Sequence, residues 1–359
     1  MNAPASQRHT EIPGSTIRGP ASGAPGAVDT LPSDQPMPSL KTRARQVVPS
    51  FLWNRLRRLK NRIASPARVQ KYMDAAGYTV ARKADYYSPL TSASELRSTF
   101  ERWNRPSALR GVAHDIAGMR KDLSDLLSRY WDEFAAFPPY EQLQQMGFGP
   151  GYTAIDALTL YMMIRHIKPQ RYIEVGSGLS TYYCSLAAAR NAIEGHPLAI
   201  TCIEPNPYDK LSTIPGIHVI QKQVQDVDRS FFEQLQRDDI LFIDTSHVVR
   251  IDGDVPFLYL EVLPCLSVGV FIHIHDVPFP YNIPYPPKFW VFGQRWPMLW
   301  NEAMLVQAFL SFNSSFRIVM STPLLRHVDE SFLISRIPLY QSIDQSPNTF
   351  SSLWLKRMS

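Results

Sequence analysis

Apolar residues recur along this chain with two different spacings, and each spacing predicts a different kind of element. Recurrence at three and four residues predicts helices over residues 115–134, 153–167, 181–192, 229–236, 255–265 and 300–312. Short apolar runs between these segments predict strands at 171–175, 199–203, 217–220, 239–244, 269–275, 316–320 and 352–357. Because strands alternate with helices, we expect an α/β fold with a parallel sheet covered on both faces.

The first 110 residues follow another pattern. Residues 1–48 are rich in Pro, Gly, Ala and Ser, so we expect a disordered tail there. Residues 49–110 are predicted to be a basic helical region, because residues 41–71 hold ten Lys or Arg and no acid. A helix over 50–63 has two interpretations: it contacts an anionic membrane or a protein partner, or it packs on the domain with a solvated basic face. Residues 111–359 form the main predicted domain.

Composition narrows the class of protein. The chain has 359 residues, 45% of them hydrophobic, but no apolar run approaches the roughly 18 residues of a membrane span. Its three cysteines, Cys184, Cys202 and Cys265, are odd in number and lack CxxC spacing, which argues against a disulfide framework and a zinc site. A cytoplasmic protein is therefore expected. The basic region lacks interleaved aromatic residues, so nucleic acid is not an expected partner.

A glycine-containing turn follows the first predicted strand, in the run YIEVGSGLST over residues 172–181. A strand, a turn and a helix in this order are suited to holding a nucleotide-like ligand, and Ser180 or Thr181 can cap the helix. The acid Glu174 before the first glycine suits a ligand with an ammonium group, such as S-adenosylmethionine. The predicted cofactor-binding residues of this turn are Glu174, Gly176, Ser177, Gly178, Ser180 and Thr181.

Two other classes of protein stay open at this point. A dinucleotide-dependent oxidoreductase would place pyrophosphate at this helix N-terminus, where a carboxylate contributes nothing. Thr181 also stands where the third glycine of G-x-G-x-x-G is expected. The second alternative is a non-catalytic cofactor-binding scaffold that recruits other proteins through its basic helix.

An acid also ends the second predicted strand, in Cys202-Ile203-Glu204-Pro205. Glu204 lies 26 residues after Gly178, where an α/β fold places an acid that accepts hydrogen bonds from both ribose hydroxyls. A surface acid without a ligand is the alternative. We predict ribose binding by Glu204, with Pro205 beside it.

Acids and histidines follow the fourth and fifth predicted strands. Asp244, His275 and Asp276 are oxygen and imidazole donors on neighbouring strand ends, so they are predicted to hold a divalent cation. The alternative is that they cap loops or bind backbone amides. His247, three residues past Asp244, either takes a proton from an acceptor hydroxyl as a general base or only orients Asp244. His273, deeper in its strand, is expected to be a hydrogen-bonded core residue.

Several ordered motifs together resemble a known family. The runs EVGSGLST, CIEPNP, DILFIDTSHVVRIDGDV, GVFIHIHDVPFPYNIP and WNEAMLVQAFLSFNSSFRIV resemble a bacterial group of class I S-adenosylmethionine-dependent methyltransferases, over residues 115–359. The resemblance implies a Rossmann-like, seven-stranded, mostly parallel sheet whose last strand runs antiparallel between the fifth and sixth. It also implies a cofactor over the glycine turn, with adenine near Val224 and Gln225. Tyr152 and Asp156 would close over its methionine end.

Metal-dependent O-methyltransferases offer a second, more distant resemblance. They bind magnesium through an aspartate after the fourth strand and an Asp-Asn pair after the fifth, and use a lysine as base. By position Asp244 matches the first ligand, His275-Asp276 the pair, and His247 the lysine. The chain departs at two of these four positions, and an imidazole ligand suits manganese or iron better than magnesium. A divalent metal, magnesium or manganese, is the implied second cofactor.

These inferences combine into one expected function, the O-methylation of a small molecule or a glycan. A Pro- and aromatic-rich segment at residues 277–297 lies just past the predicted metal ligands. It has two interpretations, a lid over the acceptor and an irregular segment that buries its own aromatic rings. Two imidazoles near Asp276 also keep hydroxylation chemistry on the same fold open.

Overall fold

The computed structural model describes residues 51–52, 54–55, 58, 65–81, 86–149, 151–341 and 350–359. The chain divides into two compact units, residues 1–82 and 83–359. The predicted tail and most of the predicted basic helix lie outside the described residues, and the predicted boundary at residue 110 stays a prediction. In the first unit, residues 51–52, 54–55 and 58 are helical. A further helix, α1, Pro66–Ala75, begins where the Ser65 side chain accepts a hydrogen bond from Arg68 N.

A seven-stranded sheet forms the centre of the second unit. Its strands are β1 Arg171–Val175, β2 Ala199–Ile203, β3 Ile217–Ile220, β4 Ile240–Ile243, β5 Phe271–Ile274, β6 Phe316–Ser321 and β7 Leu353–Arg357. Their order is β3-β2-β1-β4-β5-β7-β6, with β7 antiparallel to both of its neighbours. The fold class is therefore confirmed, including the antiparallel last strand between the fifth and the sixth. All four residues of β4 are buried, as expected for a strand covered on both faces.

The second unit also contains helices of four to twenty residues. They are α2 Ala93–Ser98, α3 Phe100–Trp103, α4 Ile116–Ala135, α5 Tyr140–Gln144, α6 Ala154–Ile167, α7 Leu179–Ile193, α8 Ser230–Glu233, α9 Asp254–Phe257, α10 Pro287–Trp290, α11 Glu302–Leu310 and α12 Thr322–Arg336. Helices α4, α6, α7 and α11 match the predicted segments closely. Within the described residues, no helix is both long enough and apolar enough to span a membrane.

Three helical segments differ from the prediction. The helix predicted over 229–236 is shorter in the structure, Ser230–Glu233. The segment predicted as one helix over 255–265 is α-helical only to Phe257, then π-helical over Leu258–Val262 and 3-10 over Leu263–Cys265. Pro264 lacks the amide hydrogen that a regular helix would use there. Helix α12 was not predicted, and its regular pattern is interrupted by the extended backbone of Asp329 (φ −155°). Ser321 caps its start, and Leu324, Leu325 and Leu333 are buried.

Candidate functional site

The turn after β1 brings the backbone of three segments close together. Gly176 has a φ of +106°, and a Cβ at this position would lie 2.6 Å from the Asp244 carbonyl oxygen. A Cβ on Gly178 would lie 2.9 Å from the Phe148 carbonyl oxygen. Only glycine fits at Gly176 without moving the end of β4, so this spacing is set by backbone packing.

Glu174 lies beneath this turn and is fully buried. Its two carboxyl oxygens accept hydrogen bonds from the hydroxyls of Ser180 and Thr181, the latter at 2.9 Å. Burial raises the pKa of the Glu174 carboxyl to about 8, although these hydrogen bonds act in the opposite direction. Helix α7 begins at Leu179, one residue before the predicted cap Ser180. The hydroxyl oxygen of Thr181 accepts a hydrogen bond from the backbone amide of Gly178 at 3.0 Å. Ser180 and Thr181 therefore hold the acid and the turn.

A cavity of about 340 Å³ opens above the turn, at the carboxyl ends of β1, β2 and β4. It brings together predicted cofactor residues from separate parts of the chain: Gly176, Glu204, Pro205, Val224, Gln225 and Asp244 line it. Glu204 Oε1 accepts a hydrogen bond from Asn206 N at 2.8 Å, which holds the carboxylate at the cavity wall. We call this space the donor cavity. The Ser177 hydroxyl in the turn is buried without a hydrogen-bond partner among the described residues, which is uncommon for a buried polar group.

Two carboxylates and two imidazoles converge beside this cavity, after β4 and β5. His247 Nε2 lies 3.2 Å from Asp244 Oδ1 and 3.4 Å from Asp276 Oδ2. His275 Nδ1 lies 3.5 Å and 3.6 Å from the same two oxygens. His247 and Asp276 adopt positive φ angles of 58° and 57°, a left-handed backbone region that is uncommon for residues other than glycine, although His and Asp enter it more readily than most. We call Asp244, His247, His275 and Asp276 the carboxylate–imidazole cluster.

A second pair of carboxylates fixes the outward nitrogens of both imidazoles. His247 Nδ1 lies 2.8 Å from Glu302 Oε2, and Tyr259 donates a hydrogen bond to the other Glu302 oxygen at 2.9 Å. His275 Nε2 lies 3.2 Å from Asp156 Oδ2, while the Ser352 hydroxyl donates to Asp156 Oδ1 at 2.6 Å. Glu302 and Asp156 are both fully buried or nearly so. Each imidazole is thus oriented from behind with its other nitrogen directed at Asp244 and Asp276.

The electrostatics of the cluster indicate a shortage of positive charge. Burial alone would lower the pKa of His247, but hydrogen bonds with Asp244 and Glu302 raise it to about 10. Burial also lowers the pKa of His275, but the charges of Asp276 and Asp244 outweigh the effect of burial. The pKa of His275 therefore lies well above its ordinary value. Despite its burial, Asp244 has a pKa below its usual range, because both histidines act on it. Four carboxylates therefore surround two imidazoles, and they favour additional cationic charge.

This donor set fits a divalent cation. Ligand atoms of Asp244, His247 and Asp276 all lie within 4.8 Å of one another, and His275 Nδ1 is buried without a hydrogen-bond partner among the described residues. Metal-bound histidines characteristically give their second ring nitrogen to a carboxylate, as both do here. The structure thus brings together the three predicted ligands, Asp244, His275 and Asp276, and adds His247 to them.

A second cavity, of about 470 Å³, borders the cluster on the side away from the glycine turn. His275 and Asp276 form part of its wall, and the remaining wall is largely aromatic: Tyr285, Phe289, Trp290 and Trp300. Three of these rings belong to the predicted aromatic segment 277–297, which therefore faces a cavity beside the cluster. We call it the acceptor cavity.

Two other predicted residues lie behind the cluster. His273 is fully buried, with Nε2 2.9 Å from Ser352 Oγ and its ring stacked on Trp354 at 4.1 Å, which confirms the predicted core role. Tyr152 is also buried, and its ring packs on His275 with centroids 4.8 Å apart. The structure places Asp156 on His275, so this residue supports the cluster rather than closing over a methionine group.

A family model described as a methyltransferase domain matches residues 173–277. The matched stretch runs from β1 to just past β5, and so contains the glycine turn, Glu204 and the whole cluster. With the strand order and the antiparallel β7, this match decides the family. The chain belongs to the class I S-adenosylmethionine-dependent methyltransferases. Membership favours the methyl-donor interpretation of the turn over the dinucleotide alternative.

Further similarities are more distant. An uncharacterised protein of Archaeoglobus fulgidus is 30% identical to the methyltransferase over 164 residues, which cover 42% of this chain and 72% of that protein. The O-methyltransferase TomG of Streptomyces achromogenes, solved with SAM, is 12% identical, with a TM-score of 0.39 over 65% of this chain and 96% of its own. An O-methyltransferase of Bacillus cereus, solved with SAH, is 11% identical, with a TM-score of 0.36 over 67% of this chain and 100% of its own.

Sequence reasoning on the methyltransferase missed the outer carboxylates. Glu302 stands in the predicted helix 300–312 as a single acid among apolar neighbours, which was the available signal for a buried partner. Asp156 carried a similar signal, because it lies in the strongly apolar run TAIDALTLYMMIRHI. Neither signal says which histidine is the partner, since that depends on how α6 and α11 pack over the sheet.

Proposed function

We propose that the methyltransferase transfers the methyl group of S-adenosylmethionine to a hydroxyl oxygen of a small molecule or glycan. The observation that carries this proposal is the position of the carboxylate–imidazole cluster. Asp244 lines the donor cavity, and His275 and Asp276 line the acceptor cavity. A donor and an acceptor bound in the two cavities would therefore meet at the cluster.

In this proposal the acceptor oxygen attacks the sulfonium methyl carbon, and the carbon–sulfur bond breaks with its electron pair passing to sulfur. The acceptor proton passes to the carboxylates at this edge, of which Asp276 lines the acceptor cavity. The main contribution of the protein is alignment, because holding two reactants in line supplies much of the rate in displacement reactions. The aromatic wall of the acceptor cavity would exclude water from the reacting atoms.

Asp244, His247, His275 and Asp276 would hold a divalent cation in the proposed enzyme. Such a cation lowers the pKa of a hydroxyl bound to it and so makes the oxygen a better nucleophile. The two imidazoles favour manganese, or another transition metal, over magnesium. Both nitrogens of His247 already face carboxylates, so we assign His247 to holding the cation rather than to taking the acceptor proton.

The donor half of the proposal is tested by calorimetric titration of S-adenosylhomocysteine into the purified chain. We expect saturable binding that weakens about 10- to 100-fold in Glu204→Gln, because a charge-assisted hydrogen bond contributes about 1.5–3 kcal/mol. Asp209→Asn, an exposed acid beyond the end of β2, is the matched control and should bind like wild type. No binding to well-folded wild-type protein would refute the donor assignment.

The acceptor half is tested with radiolabelled S-adenosylmethionine and paired compounds, phenols and sugars against their amino analogues. Transfer to the hydroxyl member of a pair supports O-methylation. Transfer to the amino analogue alone would move the proposal to N-methylation. Asp276→Asn should reduce transfer without weakening S-adenosylhomocysteine binding, because Asp276 lines the acceptor cavity.

A further inference from the structure

A third cavity, of about 470 Å³, lies between α4, α6 and α12 and takes no part in the proposed function. Its size lies within the range of small-molecule sites in proteins. The wall includes five aromatic rings, Trp131, Phe134, Phe137, Tyr140 and Phe350, and its charged side chains are Arg326 and the exposed Glu141. We call it the Arg326 cavity.

Arg326 is buried to an unusual extent for an arginine without an acidic partner. Its residue is 9% exposed, and its guanidinium lies 4.6 Å from the centre of the Phe350 ring. In the described part of the chain it donates no hydrogen bond and has no carboxylate within 4.0 Å. Buried charges in proteins are ordinarily paired, so this guanidinium has donors available for a ligand.

The two acids whose charges act on Arg326, Glu330 and Asp156, already have hydrogen-bond partners of their own. Glu330 accepts a hydrogen bond from the Tyr340 hydroxyl at 2.6 Å, and Asp156 holds His275 and Ser352. Burial is the largest influence, and it lowers the pKa of Arg326 below its usual value. The protein therefore compensates this charge incompletely.

A second buried arginine of the same chain, Arg165, has its charge balanced by carboxylates. Arg165 is 3% exposed, and its guanidinium lies 2.8 Å from Glu133 and 2.5 Å from Glu194. Its pKa is raised, because these hydrogen bonds outweigh burial. The fold can thus supply carboxylates to a buried guanidinium, whereas among the described residues no carboxylate lies within 4.0 Å of Arg326, which faces a cavity.

We propose that the Arg326 cavity binds an apolar, aromatic ligand that carries an oxyanion, a carboxylate or a phosphate. The guanidinium would hold the oxyanion through paired hydrogen bonds, and the rings would cover the apolar body. Thr153 lines both this cavity and the acceptor cavity, so the bound molecule lies next to the proposed site of methyl transfer. Neither Arg326 nor the aromatic rings around it are used in the proposed function, so the two proposals stand separately.

Calorimetry with 2-naphthoate, 2-naphthyl phosphate and neutral 2-naphthamide tests the proposal on the full chain. We expect at least one of the two anions to bind at least tenfold more tightly than the amide, and which anion does so identifies the oxyanion. Arg326→Gln should reduce this preference to less than twofold. Arg336→Gln, an exposed arginine on the same helix, should retain it. Equal affinity for the amide and both anions, or a preference that survives Arg326→Gln, would overturn the proposal.

A second variant and two further ligands complete the test. Should Arg326→Gln fail to fold, Ala135→Trp fills the cavity from its rim and should abolish naphthoate binding. Inorganic phosphate should bind at least tenfold more weakly than 2-naphthyl phosphate, and equal binding would contradict the role of the aromatic wall. S-adenosylhomocysteine titrated into the same samples should bind all variants equally. Loss of that binding in wild type would count against the proposed function and leave this inference standing.

Discussion

Buried charged groups have different partners at the two edges of the sheet, where the parallel strands begin and where they end. At the edge where the parallel strands begin, Arg165 has two carboxylates and the Asn191 side chain as partners. Asp239, 2% exposed, accepts hydrogen bonds from the backbone amides of Gln170, Arg171 and Gln236 at 2.8–3.1 Å. Every one of these partners belongs to the protein itself.

At the edge where the parallel strands end, buried charges lack full compensation. Glu174 has a raised pKa and only hydroxyl and thiol partners among the described residues. Arg326 has no carboxylate within 4.0 Å in the same part of the chain. Four carboxylates, Asp244, Asp276, Glu302 and Asp156, surround the two imidazoles of the cluster. Ligands of parallel α/β sheets bind at this edge. We infer from this difference that charge balance distinguishes the residues that stabilise this fold from the residues proposed to bind a ligand.

The largest expected effect lies at the first edge. Arg165→Met should cause the largest loss in the free energy of unfolding, about 3 kcal/mol, because the half-buried Glu133 loses its cation and the buried Asn191 loses its hydrogen-bond donor. Urea denaturation at pH 7 measures it. Arg190→Met, an exposed arginine on α7, should change stability little. A loss for Arg165→Met no greater than that of this control would break the comparison.

The next effect concerns Glu174 and pH. Between the ordinary pKa of 4.5 and the raised value of about 8, the folded chain keeps a proton that the unfolded chain has released. Stability should therefore fall as pH rises through this window, by about 1.4 kcal/mol per pH unit from this group alone. Glu174→Gln removes that contribution. The free energy of unfolding of the variant, relative to that of wild type, should therefore rise from pH 5 to pH 8.

Urea midpoints of both proteins at each pH unit give the difference between their slopes. Glu141→Gln, an exposed acid, serves as the control and should run parallel to wild type. If the stability of Glu174→Gln also runs parallel to that of wild type with pH, Glu174 is ionised in the folded chain and its charge is balanced there. Glu174 would then resemble Asp239, whose partners all belong to the protein.

A third effect concerns the carboxylate–imidazole cluster. Manganese at a hundredfold excess over its dissociation constant should raise stability by about 2.7 kcal/mol, because the cation binds only the folded chain. Asp276→Asn should abolish most of this gain. Asp252→Asn is a matched control, since Asp252 also has a positive φ, of 58°, but is exposed. Thermal denaturation with and without metal measures both, and a gain retained by Asp276→Asn would exclude this cation site.

Much of the fold followed from sequence, because periodic apolar residues determine strands that are buried on both faces. The glycine turn, Glu204 and the positions of Asp244, His275 and Asp276 could be predicted for the same reason, since each lies next to a strand end. Residues brought in by helix packing could not be. Glu302 and Asp156 lie 55 and 119 residues along the chain from the histidines that they contact, and α12, which carries Arg326, is interrupted at Asp329.

The smallest expected change in stability sharpens the comparison most. Arg326→Met should leave the free energy of unfolding within about 1 kcal/mol of wild type, because it removes a buried charge together with its desolvation cost. Arg165→Met replaces the same residue type at similar burial, so the two variants differ mainly in the partners left behind. Urea denaturation of both, side by side, measures that difference. A loss of several kcal/mol for Arg326→Met would show that the fold itself uses this guanidinium, and Arg326 would then belong to the stabilising set with Arg165.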